Sequence, residues 1–210
     1  MELMFIILYC SDISKDVLSG FESIGNPMFI QTDQTPNPNT LKFLPGCEVM
    51  GAATAEFNTK AQALRSPLAS KLFEVDGISG VFFGSVFISV TKENSANWDL
   101  LTPFIIEAIT VHFISNLPLL IETTGQPKEK KILDSLSEQI HEIIETKVRP
   151  AVAEDGGDIV FEYFRDGVVY LSMKGACSGC PSSSVTLKNG IERMLKHYVP
   201  EVKEVQATTI

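Results

Sequence analysis

In the first half of the chain, hydrophobic residues form short runs, and residues typical of turns lie between these runs. Residues 28–32, 40–44 and 78–91 are rich in apolar and β-branched side chains, which is typical of strands. Residues 36–39, Pro-Asn-Pro-Asn, are typical of a turn, and so is Gly84-Ser85. The pattern predicts two pairs of strands, each joined by one of these turns.

Two segments of the same half have helical spacing. Ser66 and Pro67 are typical of an N-cap and a first helical position, which predicts a helix to about residue 75, before Asp76-Gly77. A second, amphipathic helix is predicted where apolar residues recur every three or four positions: Trp98, Leu101, Ile105, Ile109 and His112.

The second half also changes from helical to strand spacing. A stripe with steps of four predicts a helix that passes Pro150 and ends at Gly156-Gly157: Ile132, Leu136, Ile140, Ile144 and Val148. Asp166-Gly167 then predicts a two-residue hairpin turn. One face of each flanking strand is expected to be apolar: Ile159, Phe161 and Tyr163 on the first, Val169, Leu171 and Met173 on the second. A last helix is predicted after Pro181, and an edge strand at 202–206.

Periodicity lapses at residues 116–127, where proline and glycine predict a linker. The fold class is therefore predicted to be α+β, with two small domains, each a small sheet packed with helices, joined by that linker. The domains are predicted at 28–115 and 128–210. Residues 1–27 are expected to be an N-terminal extension, whose structure the pattern does not indicate.

Charge and hydropathy exclude two classes of partner. The chain has 17 Lys+Arg and 26 Asp+Glu, a net charge of -9, and should be repelled by phosphate backbones, so nucleic acid is not expected as a partner. The apolar run at residues 3–9 is much shorter than the roughly 20 residues that span a bilayer, so no membrane partner is expected. The leading segment has no basic residue ahead of the apolar run, as a secretory signal would have, and no arginine, in which a mitochondrial transit peptide is rich.

Candidate chemistry lies in residues 175–181, Gly-Ala-Cys-Ser-Gly-Cys-Pro. Four cysteines in a chain of this length do not make a disulfide framework, so the thiols are expected to stay reduced. Cys177 and Cys180 have the spacing at which two thiols turn toward one metal, one metal cluster or each other. A cubane or a tetrahedral zinc needs four ligands, which points to a site shared between two chains.

The loop has features that suit an inorganic group. Cys180 stands just before the predicted helix, whose positive N-terminal end favours a thiolate. Gly175 and Gly179 allow the backbone to turn closely. We expect the loop to be exposed.

These cysteines belong to a longer ordered pattern. It includes Val-Arg-Pro at 148–150, Glu-Asp-Gly-Gly-Asp at 154–158 and Ser-Ser-Ser at 182–184. Together with the cysteine loop, this pattern resembles the C-terminal domain of NifU, in the Nfu family of iron–sulfur cluster scaffold and carrier proteins. Residues 29–43, with Thr-Pro-Asn-Pro-Asn at 35–39, are similar to the N-terminal domain of two-domain Nfu proteins.

The resemblance implies a binding and transfer protein that is not an enzyme. Two chains would hold one 4Fe–4S cluster through Cys177 and Cys180 of each, as a homodimer in the cluster-bound form. Cluster-assembly proteins would be the donors, and apo iron–sulfur proteins the clients. The location implied is cytoplasmic, or the mitochondrial matrix if the source is eukaryotic.

Three other uses of the cysteine pair stay open. A thioredoxin-like dithiol oxidoreductase presents the pair from a parallel βαβ unit, whereas an antiparallel hairpin is predicted here. Zinc shared by four thiolates of two chains is the second; within one chain, His197 is the nearest further ligand in sequence. A structural pair of buried thiols is the third, and the glycine-rich setting opposes it.

Four other polar residues are given no role in chemistry. Cys47 is predicted to be a half-buried small residue. His112 lies in line with an apolar stripe and is predicted to be a core or edge histidine with its hydrogen bonds satisfied. Asp155 and Asp158, beside a glycine pair at a helix end, are predicted to be capping and turn residues.

Overall fold

The computed structural model describes residues 8–10, 26–121, 134–178 and 181–208. Its strands are β1 Leu8–Cys10, β2 Asn26–Met28, β3 Gln31–Gln34, β4 Thr40–Leu44, β5 Ala55–Phe57, β6 Ile78–Phe83, β7 Ile88–Lys92, β8 Gly157–Arg165, β9 Val168–Gly175 and β10 Glu204–Thr208. Its helices are α1 Lys60–Ala63, α2 Pro67–Leu72, α3 Trp98–Ile114, α4 Ser135–Ile143, α5 Arg149–Glu154 and α6 Pro181–Tyr198, with a π-helical turn, Ile144–Val148, between α4 and α5. No helix in these ranges is long and apolar enough to cross a membrane.

The first domain is built on a five-stranded antiparallel sheet of order β3-β4-β7-β6-β5. Alternate residues of each strand point to opposite faces of the sheet. One face packs against α2 and α3. Fully buried members of this core are Phe43, Phe57, Leu68, Leu72, Phe83, Ile88, Ile105 and Ile109.

Most elements predicted for this domain are present, with some changes of boundary. The hairpin expected within 78–91 is the β6–β7 pair. Ser66 Oγ accepts a hydrogen bond from the Ala69 N–H at 3.1 Å, as its N-cap role predicts, although α2 ends at Leu72. The strand expected at 28–32 lies instead at Gln31–Gln34, and the short β5 and α1 were not predicted.

Two segments outside the predicted first domain are also ordered against it. Within the predicted extension, β1 pairs antiparallel with β2, with Leu8 opposite Met28. In the first half of the predicted linker, the Ile121 N–H donates to the Arg65 carbonyl at 2.8 Å. The rest of that linker, 122–127, lies outside the described residues.

His112 lies in the last turns of α3 and is 4% exposed. Its ring packs edge-on against Phe113, with centroids 5.5 Å apart. It is buried, as predicted, but its Nε2 atom has no hydrogen-bond partner among the described residues, so the expectation of a satisfied histidine fails at that atom. Burial lowers the pKa of His112 below its ordinary value of 6.5.

Stability is expected to fall as the pH is lowered through this ordinary value. Below it, the unfolded chain takes up a proton that the buried ring resists, so protonation favours unfolding. Urea titrations at about pH 7.5 and about pH 5.5 measure the difference in unfolding free energy between the two pH values, and this difference should be smaller in His112→Phe. The control is His197→Gln, which replaces an exposed histidine and should show the same difference as the unchanged protein. If His112→Phe also shows the same difference, the pH dependence does not come from His112.

The second domain has a three-stranded sheet of order β10-β9-β8. Strands β8 and β9 form the predicted hairpin, and Asp166 and Gly167 at its turn have φ angles of 54° and 87°. Strand β10 pairs parallel with β9 and supplies the predicted edge strand, two residues later than expected. Strands β9 and β10 with α6 between them therefore form a parallel βαβ unit, so the expected lack of such a unit does not argue against a dithiol oxidoreductase. The core includes Ile140, Ile144, Val152, Ile159, Val169, Leu171, Ile191 and Leu195.

The predicted helix before β8 is interrupted by the π-helical turn Ile144–Val148. Pro150 follows directly, at the start of α5. A proline inside a helix lacks an N–H and crowds the preceding turn, and a wider turn relieves both effects. The helix therefore continues past Pro150 and ends before Gly156, whose φ of 79° suits the residue after a helix end.

Strand β8 contains an irregularity between Phe161 and Tyr163. Ile159 and Phe161 lie in the core, at 0% and 8% exposure, but Tyr163 is 43% exposed. It stacks on Tyr170 of β9 with ring centroids 4.3 Å apart. The prediction that Tyr163 shares the apolar face is wrong, because a bulge changes the side of the sheet to which the following residues point.

Candidate functional site

The cysteine loop leaves the second domain's sheet where β9 ends beside the start of β8. Gly157 lies opposite Gly175 in the antiparallel ladder. The Ala176 N–H donates to the Gly156 carbonyl at 3.2 Å, and the Ser178 N–H donates to the Gly175 carbonyl at 3.0 Å. The first part of the loop is thus a hydrogen-bonded turn that is fixed to β8.

Cys177 is buried against the domain that carries it. It is 7% exposed and packs in the core of the second domain. A Cβ atom at Gly157 would lie 2.5 Å from the Cys177 Sγ atom, so glycine is needed beneath the sulfur. Gly175 has a φ of 62°, which glycine adopts without strain. The expectation of an exposed loop is therefore wrong for Cys177.

Cys180, the second predicted ligand, lies outside the described residues, as does Gly179. Pro181 opens α6, so the helix predicted after the loop is confirmed. Cys180 is bonded directly to the first residue of this 18-residue helix. The unsatisfied N–H groups at a helix N-terminus favour an anionic thiolate over a neutral thiol.

Four side chains cross the first domain's sheet on the face away from its core. Lys42 lies opposite Ser89, Ser89 opposite Phe82, and Phe82 opposite Glu56. We call these four residues the outer row. The second domain covers it: Ser89 Oγ donates to the Gly156 carbonyl at 2.6 Å, and Phe82 is 1% exposed.

Two first-domain side chains reach the turn that carries Cys177. The Gly175 N–H donates to Glu56 Oε1 at 3.0 Å, and Asn37 Nδ2 donates to the Ala176 carbonyl at 3.3 Å. These partners are 119 and 139 residues apart in sequence. Strand alternation places Glu56 on the outer face, but no sequence signal shows what covers that face.

Asp158 is 4% exposed and forms an ion pair with Arg149. Its carboxylate accepts hydrogen bonds from Arg149 at 2.7 and 2.9 Å, from the Thr54 hydroxyl at 3.1 Å and from the Ile159 N–H at 2.8 Å. Hydrogen bonding to Asp158 raises the pKa of Arg149, so the guanidinium stays charged. Asp155 is the C-cap of α5, as predicted, but Asp158 is an ion-pair partner and not a capping residue.

The remaining sequence candidates lie elsewhere in the molecule. Cys47 is half-buried, as predicted, and packs against the core of the first domain. His197 lies in the last turn of α6, where its ring contacts Tyr198. Within the described ranges, no three or more His, Cys, Asp or Glu side chains are grouped so that they could hold a metal ion.

Two family models match the chain, one over each domain. The model described as the N-terminal domain of the scaffold protein Nfu/NifU matches residues 30–116. The NifU-like domain matches residues 140–206. The second match contains the cysteine loop.

Curated relatives are similar over most of the chain. The human protein named NFU1 iron-sulfur cluster scaffold homolog, mitochondrial, is 50% identical over 182 residues, which cover 85% of this chain and 71% of the relative. The Drosophila persimilis protein of the same name is 51% identical over 189 residues, covering 88% and 67%. A solution structure of a NifU-like protein from Saccharomyces cerevisiae matches 54% of this chain and 100% of its own, with 22% identity and a TM-score of 0.44.

Proposed function

This chain belongs to the Nfu family of iron–sulfur cluster scaffold proteins, and we propose that two copies of it hold one 4Fe–4S cluster and transfer it to apo-proteins. The ligands are Cys177 and Cys180 of each copy. The cluster is cargo and not a resident cofactor. The chain then acts by binding and ligand exchange, with no catalytic residue and no covalent turnover of its own.

The place of the cysteine loop carries the proposal. The loop follows the β8–β9 hairpin and is followed closely by the N-terminus of α6, within the segment that matches the NifU-like domain. Cys177 is 7% exposed over Gly157, so its sulfur has to move to the surface to bridge two chains. Two thiols in such a loop supply half of the four ligands that a cubane needs. Two copies of the loop, brought together by a two-fold axis, complete the set.

Stoichiometry tests the shared site directly. Anaerobic reconstitution with iron and sulfide is expected to give about four irons per two chains, in a dimer by gel filtration. Four irons on a monomeric chain would refute sharing. A colourless protein with a redox-active dithiol would favour the oxidoreductase alternative, and tightly held zinc would favour a shared tetrathiolate zinc site.

Transfer is the second part of the proposal. Holo-protein is expected to activate an apo-enzyme that needs a 4Fe–4S cluster faster than equal amounts of free iron and sulfide do. A soluble chelator should suppress the free-ion control far more than the transfer, since ligand exchange releases no ions. Activation that tracks only the iron released into solution would contradict the carrier role.

The proposed partners are the proteins that give and receive the cluster. Cluster-assembly proteins transfer the cluster to the dimer, and apo iron–sulfur proteins accept it from the dimer. The relatives named above are mitochondrial by name, and we propose the mitochondrial matrix as the location of this chain as well.

A further inference from the structure

Helix α3 is apolar on two sides, and only one of them is covered. On its inner side, Leu101 and Ile105 are buried in the core of the first domain. On its outer side, Leu100 is 69% exposed, Phe104 58% and Val111 53%. We call these three residues the α3 stripe. A helix that is apolar on both sides is typical of one that is buried on both sides, so the stripe is a candidate binding surface.

The α3 stripe forms one wall of a groove between α3 and α2. The groove has a volume of about 960 Å³, and its other wall includes Leu68 of α2 and Val75 after it. Residues 100–111 make three turns of helix, about 16 Å long. Apolar side chains at this spacing along a groove suit an amphipathic helix of similar length, which inserts its own apolar side chains between them.

Acidic side chains border the groove. Glu74, Asp76 and Glu107 line it and are exposed, and among the described residues that line it Lys71 is the only lysine or arginine. The Lys71 ammonium lies 2.7 Å from the Glu74 carboxylate, so its charge is already paired. The hydrogen bond to Glu74 and the charge of the nearby Glu107 raise the pKa of Lys71. The border is therefore negative, and it favours a partner that carries Lys or Arg beside its apolar side chains.

His112 adds a polar group to this surface. It lines the groove and is buried, and its Nε2 atom has no hydrogen-bond partner in the part of the chain that the structure describes. Burial lowers the pKa of His112, so the ring is neutral near pH 7 and Nε2 can form one hydrogen bond. A buried nitrogen without a partner costs free energy, and a polar group of a bound segment can supply the missing bond.

We propose that the groove between α2 and α3 binds an amphipathic helix of another protein, with an apolar stripe flanked by Lys and Arg. This interaction surface belongs to the first domain and contains no residue of the cysteine loop. The apolar stripe of the partner packs against the α3 stripe, and its basic residues lie beside Glu74, Asp76 and Glu107.

A second copy of this chain fits the groove less well. Glu107 lies between Phe104 and Val111 on α3, so a two-fold axis through the α3 stripe brings the Glu107 carboxylates of two copies together. Each chain also carries a net charge of -9, so two copies repel each other, whereas a basic partner is attracted.

Residues 11–25 of the same chain are another possible occupant. They follow β1, which contacts α3, although no residue of β1 lines the groove. These fifteen positions contain three acidic residues and one lysine. Their charge therefore opposes binding at an acidic border, and a basic partner is favoured over them as well.

Binding of a designed peptide to the full, iron-free chain tests the groove. The probe is a fluorescent helical peptide of about 15 residues, with leucines at every third or fourth position and lysines on both sides of that stripe. One control peptide has the same composition in scrambled order, and the other has Glu in place of Lys. Fluorescence anisotropy at low salt should show the lysine peptide binding at least about tenfold more tightly than either control.

Two variants place the binding at the groove. Phe104→Ser removes the largest side chain of the α3 stripe and should weaken peptide binding by about tenfold. Its matched control is Phe29→Ser, because Phe29 is 67% exposed in the same domain but does not line the groove. Glu107→Lys reverses a border charge and should also weaken binding by about tenfold at low salt. Glu48→Lys changes the net charge equally at an exposed position outside the groove and should have little effect.

Several outcomes would overturn the proposal. They are absent binding, equal binding of either control peptide, and unchanged binding by folded Phe104→Ser. A dimer of the iron-free chain that Phe104→Ser dissociates would show that a second copy occupies the groove. Peptide binding that appears only in Phe21→Ser would assign the groove to residues 11–25. Because no iron is present, each result is independent of whether a cluster binds at the cysteine loop.

Discussion

The Cys177→Ser and Cys180→Ser variants are each expected to lose stable cluster binding. A dimer of either variant offers two thiolates where a cubane needs four, and a serine hydroxyl does not ionise near neutral pH to replace them. Iron and sulfide content after anaerobic reconstitution and gel filtration measure the loss, together with the visible absorption of the cluster. We expect less than about a tenth of the iron of the unchanged protein to remain.

Cys47→Ser is the matched control, because it removes a thiol from the other domain. This variant should bind iron as the unchanged protein does, and an equal loss there would show that the ligands have been wrongly assigned. Cys177→Ser needs a stability measurement as well, because Cys177 is 7% exposed within the second domain's core. A hydroxyl at that place costs about 1–2 kcal/mol of unfolding free energy if it lacks a partner.

Local sequence patterns predicted those elements whose signals lie within a few residues. Ser66 and Pro67 marked the start of α2, and Asp166-Gly167 marked the β8–β9 turn, because caps and tight turns need particular side chains at particular positions. The bulge after Phe161 was missed, since nothing in that strand distinguishes an inserted residue from regular alternation. The short β5 was missed because three residues carry too little pattern.

Only the local features of the candidate site could be predicted from the sequence. The spacing of Cys177 and Cys180, and the glycines near them, are local features that the sequence displays. The burial of Cys177 depends on its fit over Gly157, which lies on a neighbouring strand. Contacts of Asn37 and Glu56 with the loop span more than a hundred residues and follow from how the two domains pack. Alternation within β5 predicts only that Glu56 faces away from the first core.

Asp158 shows how such a contact changes the interpretation of a residue. In sequence it stands beside two glycines after a helix, where a turn role is the simplest prediction. In the structure it accepts two hydrogen bonds from Arg149, and its side chain is 6% exposed while that of Arg149 is 27% exposed. The pair holds the start of β8, which carries Gly157, against α5.

Asp158→Ala is therefore expected to lower the free energy of unfolding by about 2 kcal/mol, because Arg149 loses the hydrogen bonds to its main partner and keeps only the ion pair with Glu145 at 2.7 Å. Urea unfolding near neutral pH measures the change. Glu74→Ala is the matched control: its carboxylate lies 2.7 Å from the Lys71 ammonium, the same separation as in the Arg149 pair, but both side chains are 65% exposed. That variant should lose much less stability than Asp158→Ala, because water screens an exposed ion pair.

A double variant distinguishes two causes of the instability: the loss of the contacts of Asp158, and the burial of the Arg149 charge without Asp158. Replacing both partners, as Arg149→Met with Asp158→Leu, removes the buried charge along with the pair and should recover part of the stability lost in Asp158→Ala, although Glu145 then loses Arg149 as well. If the double variant is as unstable as Asp158→Ala, the cost arises from the packing and hydrogen bonds around Asp158 and not from a guanidinium that keeps only Glu145. A loss in Asp158→Ala no larger than that in Glu74→Ala would show that burial adds nothing to this ion pair, and that other contacts hold the start of β8 against α5.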